Sequence, residues 1–331
     1  LLPMSALAAE ADALGETGPE EAVCTCTAPC TEGGMNTACP VCGADGAAPE
    51  DCGQSLPQGS GEARTQPLAN DGISLLSTQE NVSYIDPTEE QTEQTCTSAT
   101  VVTADDTTWG NDDNDGWYVV NDDVTIGQRV TVTGDVHLIL TDGASLDAAQ
   151  GVNVGAGNSL TIYGQSDGTG ELYANYNNGS RGMLQNASAG IGSNEYEGCG
   201  TITINGGRIF ACGGVQGISA GAGIGCGWNP STYRGTESIT INGGCVTAKG
   251  ASADYGGGAG IGGAGNSGSI SSVTITGGVI VAEGGSNGAA GIGGGGHDGK
   301  LDSISITGGW IQATGHGRNG NDNNGNANAI G

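Results

Sequence analysis

Aromatic residues are scarce in this 331-residue sequence: one Phe, four Trp and eight Tyr, 4% in all. So few rings exclude a globular core built on large aromatic side chains. Basic residues are scarcer still, with eight Lys and Arg against 36 Asp and Glu and a formal net charge of -28. That balance excludes nucleic acid as a partner, since phosphates are met by Lys and Arg that displace counterions. No stretch approaches the roughly 18 apolar residues of a membrane-spanning helix. Glycine, in contrast, is abundant, at 66 residues. A regular stack of short strands accommodates this composition, because each layer needs a few aliphatic residues and many tight turns.

The charge is unevenly spread. Residues 1–110 hold 18 acidic residues and one basic residue, Arg64, whereas residues 201–331 hold six acidic and five basic residues. The two regions are different physical objects, and the whole suits a well-solvated extracellular protein. Residues 1–8 end in Ala6-Leu7-Ala8, an A-x-A cleavage pattern, and read as a signal-peptide remnant. Residues 9–52 form an acidic segment and a Cys-rich module with Cys24, Cys26, Cys30, Cys39, Cys42 and Cys52. Two explanations stand: three disulfides in a secreted segment too small to fold alone, or an all-thiolate Zn2+ site using the C-x2-C of Cys39 and Cys42. Residues 53–99 turn polar and acidic, with DPTEEQTEQT from Asp86, and read as a disordered linker.

Period-two alternation begins near Val101, and SLTIYGQ and GELYA follow as imperfect versions of what comes next. An internal repeat then takes over. TITINGG from Thr201, SITINGG from Ser238, SVTITGG from Ser272 and SISITGG from Ser303 are followed at once by RIFA, CVTA, VIVA and WIQA. A third element, GIG, places Ile at 191, 224, 261 and 292, and Ile330 falls at the next such place, so the sequence stops inside a repeat. Alternate strand side chains point to opposite sides, which defines five inward columns. These are Ile202/Ile239/Val273/Ile304, Ile204/Ile241/Ile275/Ile306, Ile209/Val246/Ile280/Ile311, Ala211/Ala248/Ala282/Ala313 and the GIG isoleucines. Three short strands per repeat predict an all-β, right-handed, single-stranded parallel β-helix over residues 100–331. Asn205, Asn242, Thr276 and Thr307 align before each Gly-Gly corner, where a side-chain ladder satisfies turn backbone groups. The recurring GAGIG stretches lack a following GK[ST] and are not phosphate loops.

These repeats, the DGWYVV to TDGASL segment and the CTCTAPCTEG to CPVCG module together resemble the Gly-rich β-helix surface proteins of Gram-positive gut bacteria, often described as carbohydrate-binding-domain proteins. The resemblance covers nearly the whole chain outside the linker. It implies a secreted or cell-surface location and a β-helix fold, and it brings no catalytic motif. The expected partner is a glycan or the surface of a host or neighbouring cell.

The pectin-lyase-like enzymes are the catalytic alternative, since they also use outward residues of stacked strands. They need a positioned base or paired carboxylates. Within the four aligned repeats the outward positions of the first element are Thr203, Thr240, Thr274 and Ser305; the basic outward strand residue is Arg208, and no carboxylate pair aligns with it. A non-catalytic binding or adhesive role is therefore expected, with a structural stalk and a polysaccharide lyase or hydrolase as alternatives. Candidate ligand-binding residues are Phe210, Trp310 and Arg208 on the second element and Trp228 and Tyr233 in a loop, with burial of Phe210 under a neighbouring loop as its competing role. Asn111, Asp113, Asp115 and Asp122 have the oxygen-ligand spacing of a Ca2+ loop, but strands flank them and the last ligand is a short Asp, so a solvated turn is the better explanation. No cofactor is required by this reading. Cys199, Cys212, Cys226 and Cys245 are candidates for one or two cross-coil disulfides.

Overall fold

The structure, a computed structural model, describes residues 77–110, 116–177, 180–182, 184–230, 238–317 and 329–331. The signal remnant, the Cys-rich module and the linker up to residue 76 lie outside the described residues, so neither the disulfide nor the Zn2+ reading of Cys24 to Cys52 is addressed. The described residues belong to one compact unit, Ser74–Gly331.

Seven coils form a parallel β-helix. Each contributes a strand to the first and second of three sheets, here numbered after the TITI, RIFA and GIG elements; six also supply a strand of the third, whose remaining strand, Thr108–Trp109, precedes the first coil, while Ile330 of the last coil makes an isolated bridge to Ile292. The first sheet has nine strands, seven from coils and two from a preceding hairpin, and the second and third have seven each. Parallel pairing aligns the repeats residue for residue, for example Ile202 with Ile239 and Ile239 with Val273 in the first sheet. Ile209 pairs with Val246 and Val246 with Ile280 in the second, and Ile191 with Ile224 and Ile224 with Ile261 in the third. All five predicted columns are buried through the sixth coil, forming one continuous apolar core.

Three earlier coils extend the four recognised repeats. Val136 and Leu160 precede Ile202 in its column, Leu146 and Leu172 precede Ile209, and Val130 and Val152 precede Ile191. Their sequences can depart from the repeat because the pairing is between backbones. An inward position needs only an aliphatic group, and a turn such as TDG can replace Gly-Gly.

The corner ladder is present. Asn242 Nδ2 donates to Asn205 Oδ1 at 2.9 Å, and Thr276 Oγ1 donates to Asn242 Oδ1 at 2.7 Å. At the third-sheet corner Arg129 is half-buried, and its guanidinium donates to Asn194 Oδ1 and to the carbonyls of Gln150, Val152, Ala189 and Gly192. Burial pulls its pKa down to about 9, Glu197 acts in the opposite sense, and the group stays charged at neutral pH. A cross-coil disulfide joins Cys199 to Cys226 within the core; Cys212 and Cys245 are outside it.

The expected linker is corrected at its end. Residues 78–99 are not disordered: β1 (Thr78–Ile85) and β2 (Glu93–Val101) form an antiparallel hairpin. The end of β2 joins the first sheet beside Tyr118 and Val119. The rest covers the sheet's outer surface, burying Val82, Cys96 and Ala99 against Val119, Ile139 and Tyr163 as a second apolar cluster. Asn121 Nδ2 donates to Gln79, Gln165 Nε2 to the Ser83 carbonyl, and Asn205 Nδ2 to Asp86. The hairpin thus crosses coils one to four as a strap along the stack.

Candidate functional site

The second sheet presents two outward columns to solvent. One runs Ser145, Glu171, Arg208, Cys245, Val279 and Trp310, and the other runs Asp147, Tyr173, Phe210, Thr247, Val281 and Gln312. Parallel register places Tyr173 directly beside Phe210. Adjacent strands lie about 4.8 Å apart, and the two rings stack at 4.8 Å between centroids with an 8° interplanar angle. Tyr176 flanks Phe210 at 5.4 Å. Phe210 is therefore half-buried by neighbouring rings while remaining on the outer face.

Polar groups frame these rings. Tyr173 Oη donates to Glu171 Oε2 at 2.6 Å, and Arg208 Nη1 lies 3.6 Å from Glu171 Oε1. The Glu171 hydrogen bond, with a smaller contribution from burial, pushes the Tyr173 hydroxyl up to about 12, so it remains a donor at any physiological pH. Asp147, next to Tyr173 on the preceding strand, has its carboxyl raised by burial. No carboxylate pair aligns with Arg208 in the four recognised repeats, but the third coil, which precedes them, sets one carboxylate beside it. GELYA sits in register with RIFA, Glu171 opposite Arg208 and Tyr173 opposite Phe210. That alignment was the available signal for both residues.

The remaining candidates scatter. Trp310 shares the face but stands three strands beyond Arg208, 55% exposed beside exposed Val279. Trp228 belongs elsewhere: its Nε1 donates to the Asn266 carbonyl at 2.7 Å, its ring meets Tyr196 edge-on at 4.9 Å, and it packs on the core. Tyr233 lies outside the described residues, as do Asn111, Asp113 and Asp115. Asp122 is exposed and accepts from the Asp123 amide at 2.8 Å. Among the described residues no group of three or more His, Cys, Asp or Glu side chains forms a metal site, and no helix is long and apolar enough to cross a membrane.

Comparison with known families gives one match. The model of the beta helix repeat covers residues 202–228, 239–266 and 273–296, the fourth to sixth coils. The chain is a β-helix repeat protein. No curated protein and no solved structure matches it. In this β-helix repeat protein the matched segments begin in the first sheet, cross the second and end just past the third, which is the order of the inward columns.

Proposed function

We propose that this protein is secreted or displayed at a cell surface and binds glycans through the outer face of its second sheet. The observation that carries the reading is the stacked Tyr173–Phe210 pair beside the Tyr173–Glu171–Arg208 network. A sugar ring has an apolar C–H face and a rim of hydroxyls, which suits an aromatic surface bordered by a carboxylate acceptor and a guanidinium donor. The Cys199–Cys226 disulfide and the acidic composition suit an oxidising, extracellular location. Glycan-array binding by the full chain tests this. Phe210→Ala and Tyr173→Ala are expected to cut affinity about tenfold or more, while Thr240→Ala on the first sheet leaves it unchanged. Array binding that survives both aromatic substitutions would sink the assignment to this face, and absence of any glycan binding would favour a structural stalk.

One observation favours a hydrolase as the second reading. Asp147 and Glu171 are diagonal neighbours on adjacent strands of this face, their Cα atoms about 8 Å apart by strand geometry, and burial raises the Asp147 carboxyl. Inverting glycoside hydrolysis employs two carboxyl groups about 6.5–9.5 Å apart, the general acid being the one whose pKa is raised. Release of reducing ends from a bound glycan, lost in Asp147→Asn, would select this reading.

A further inference from the structure

Where the second-sheet strands of coils four to seven end, the chain turns away and leaves a cavity of about 570 Å3, within the range of small-molecule sites. Its wall includes Val215, Lys249, Ala251, Ser252, Glu283 and His316. None of these belongs to the aromatic face. Lys249 and Glu283 are cross-strand neighbours in register, with Nζ 3.7 Å from Oε2. His316 comes from the following coil, its Nε2 4.0 Å from the other oxygen of Glu283. Its Nδ1 lies 2.7 Å from the Gly284 carbonyl. A carbonyl only accepts, so the proton of a neutral His316 is on Nδ1 and Nε2 is left as an acceptor.

The three groups therefore offer an ammonium donor, a carboxylate acceptor and an imidazole acceptor, each partly open to solvent at 32%, 44% and 45% of the side chain. A small anion drawn to Lys249 meets Glu283, and a cation drawn to Glu283 meets Lys249. A neutral polyol meets neither conflict. One hydroxyl of a vicinal pair accepts from the ammonium while its neighbour donates to the carboxylate, and the ion pair stays intact. Val215 and Ala251 add apolar wall for ring carbons.

We propose that this cavity is a saccharide subsite, separate from the aromatic face, that takes one neutral pyranose and holds it through a vicinal diol between Lys249 and Glu283. Saturation-transfer NMR and calorimetric titration of the full chain with methyl α-mannopyranoside, methyl β-galactopyranoside and methyl β-glucopyranoside test it, with methyl β-glucuronide as the charged comparison. At least one neutral glycoside is expected to bind. Glu283→Gln and Lys249→Met, shown by thermal melting to be folded, are expected to weaken it about tenfold, and Thr240→Ala on the first sheet to leave it unchanged. If either variant fails to fold, His316→Gln, at the exposed end of the trio, is expected to weaken binding several-fold. The proposal is overturned if no neutral glycoside binds, if binding is undiminished in the folded variants, if the glucuronide is preferred, or if Phe210→Ala abolishes binding. Loss of array binding in the aromatic variants alone bears on the face and not on this cavity.

Discussion

Gly192, Gly225, Gly262 and Gly293 each lie against a backbone carbonyl of the next coil, and a methyl group on Gly225 would meet the Gly262 oxygen at 2.1 Å with φ at +132°. The obstruction is backbone on one side and a conformation that L side chains avoid on the other. Gly225→Ala is expected to cost at least about 3 kcal/mol in denaturant unfolding. Gly127→Ala, where a Cβ meets nothing within 4 Å, is expected to change stability by less than about 1 kcal/mol. Equal effects would remove the close approach as the reason for glycine in the GIG element. Arg129 is the opposite kind of residue. Nothing local in IGQRVTV marks it as half-buried, since its acceptors come from residues 21 to 65 positions away. Such a contact exists only after coils one to three have stacked.

The strap shows the same dependence at the level of an element. Its sequence, TQENVSYI and EQTCTSATV around an acidic turn, buries few side chains and lacks sustained alternation. Only one of its surfaces meets protein, so a polar strand looked like linker. Beneath it Trp117 stacks on His137 at 4.3 Å, and Tyr163 and Tyr84 close the cluster. Burial lowers the His137 pKa, against smaller opposing effects of Asp135 and Asp86. The folded state therefore favours the neutral ring. Above the unfolded pKa of about 6.5 its stability contribution is complete, and it is lost as pH falls below that value, because only the unfolded chain then gains the proton. Wild type is expected to lose more Tm between about pH 7.5 and about pH 5 than His137→Gln. Parallel losses in the two proteins would show that His137 does not titrate this way.

For the whole molecule, coil number and site location were legible to different degrees. Four coils followed from isoleucine columns alone, because inward positions of a solenoid admit only aliphatic groups. The other three needed the pairing itself, and with them came Glu171 and Tyr173, half of the aromatic face. The cavity trio was hidden for another reason. Lys249, Glu283 and His316 sit in segments of unequal length whose meeting depends on where each strand ends. Long-range covalent order adds to this packing: Cys199 and Cys226, 27 residues apart, tie the end of coil three to the end of coil four. Reduction is expected to lower unfolding free energy by about 2–4 kcal/mol, read by denaturant titration with and without thiol reductant. A Cys199→Ala/Cys226→Ala variant that is as stable as the oxidised protein would rule that contribution out.

The strap also has a mechanical consequence. A solenoid pulled along its axis peels open one coil at a time, each rupture loading only the next layer. Here Gln79, Ser83 and Asp86 are fastened to coils one, three and four by separate hydrogen bonds. Axial tension applied to these coils is thereby shared in shear among several layers.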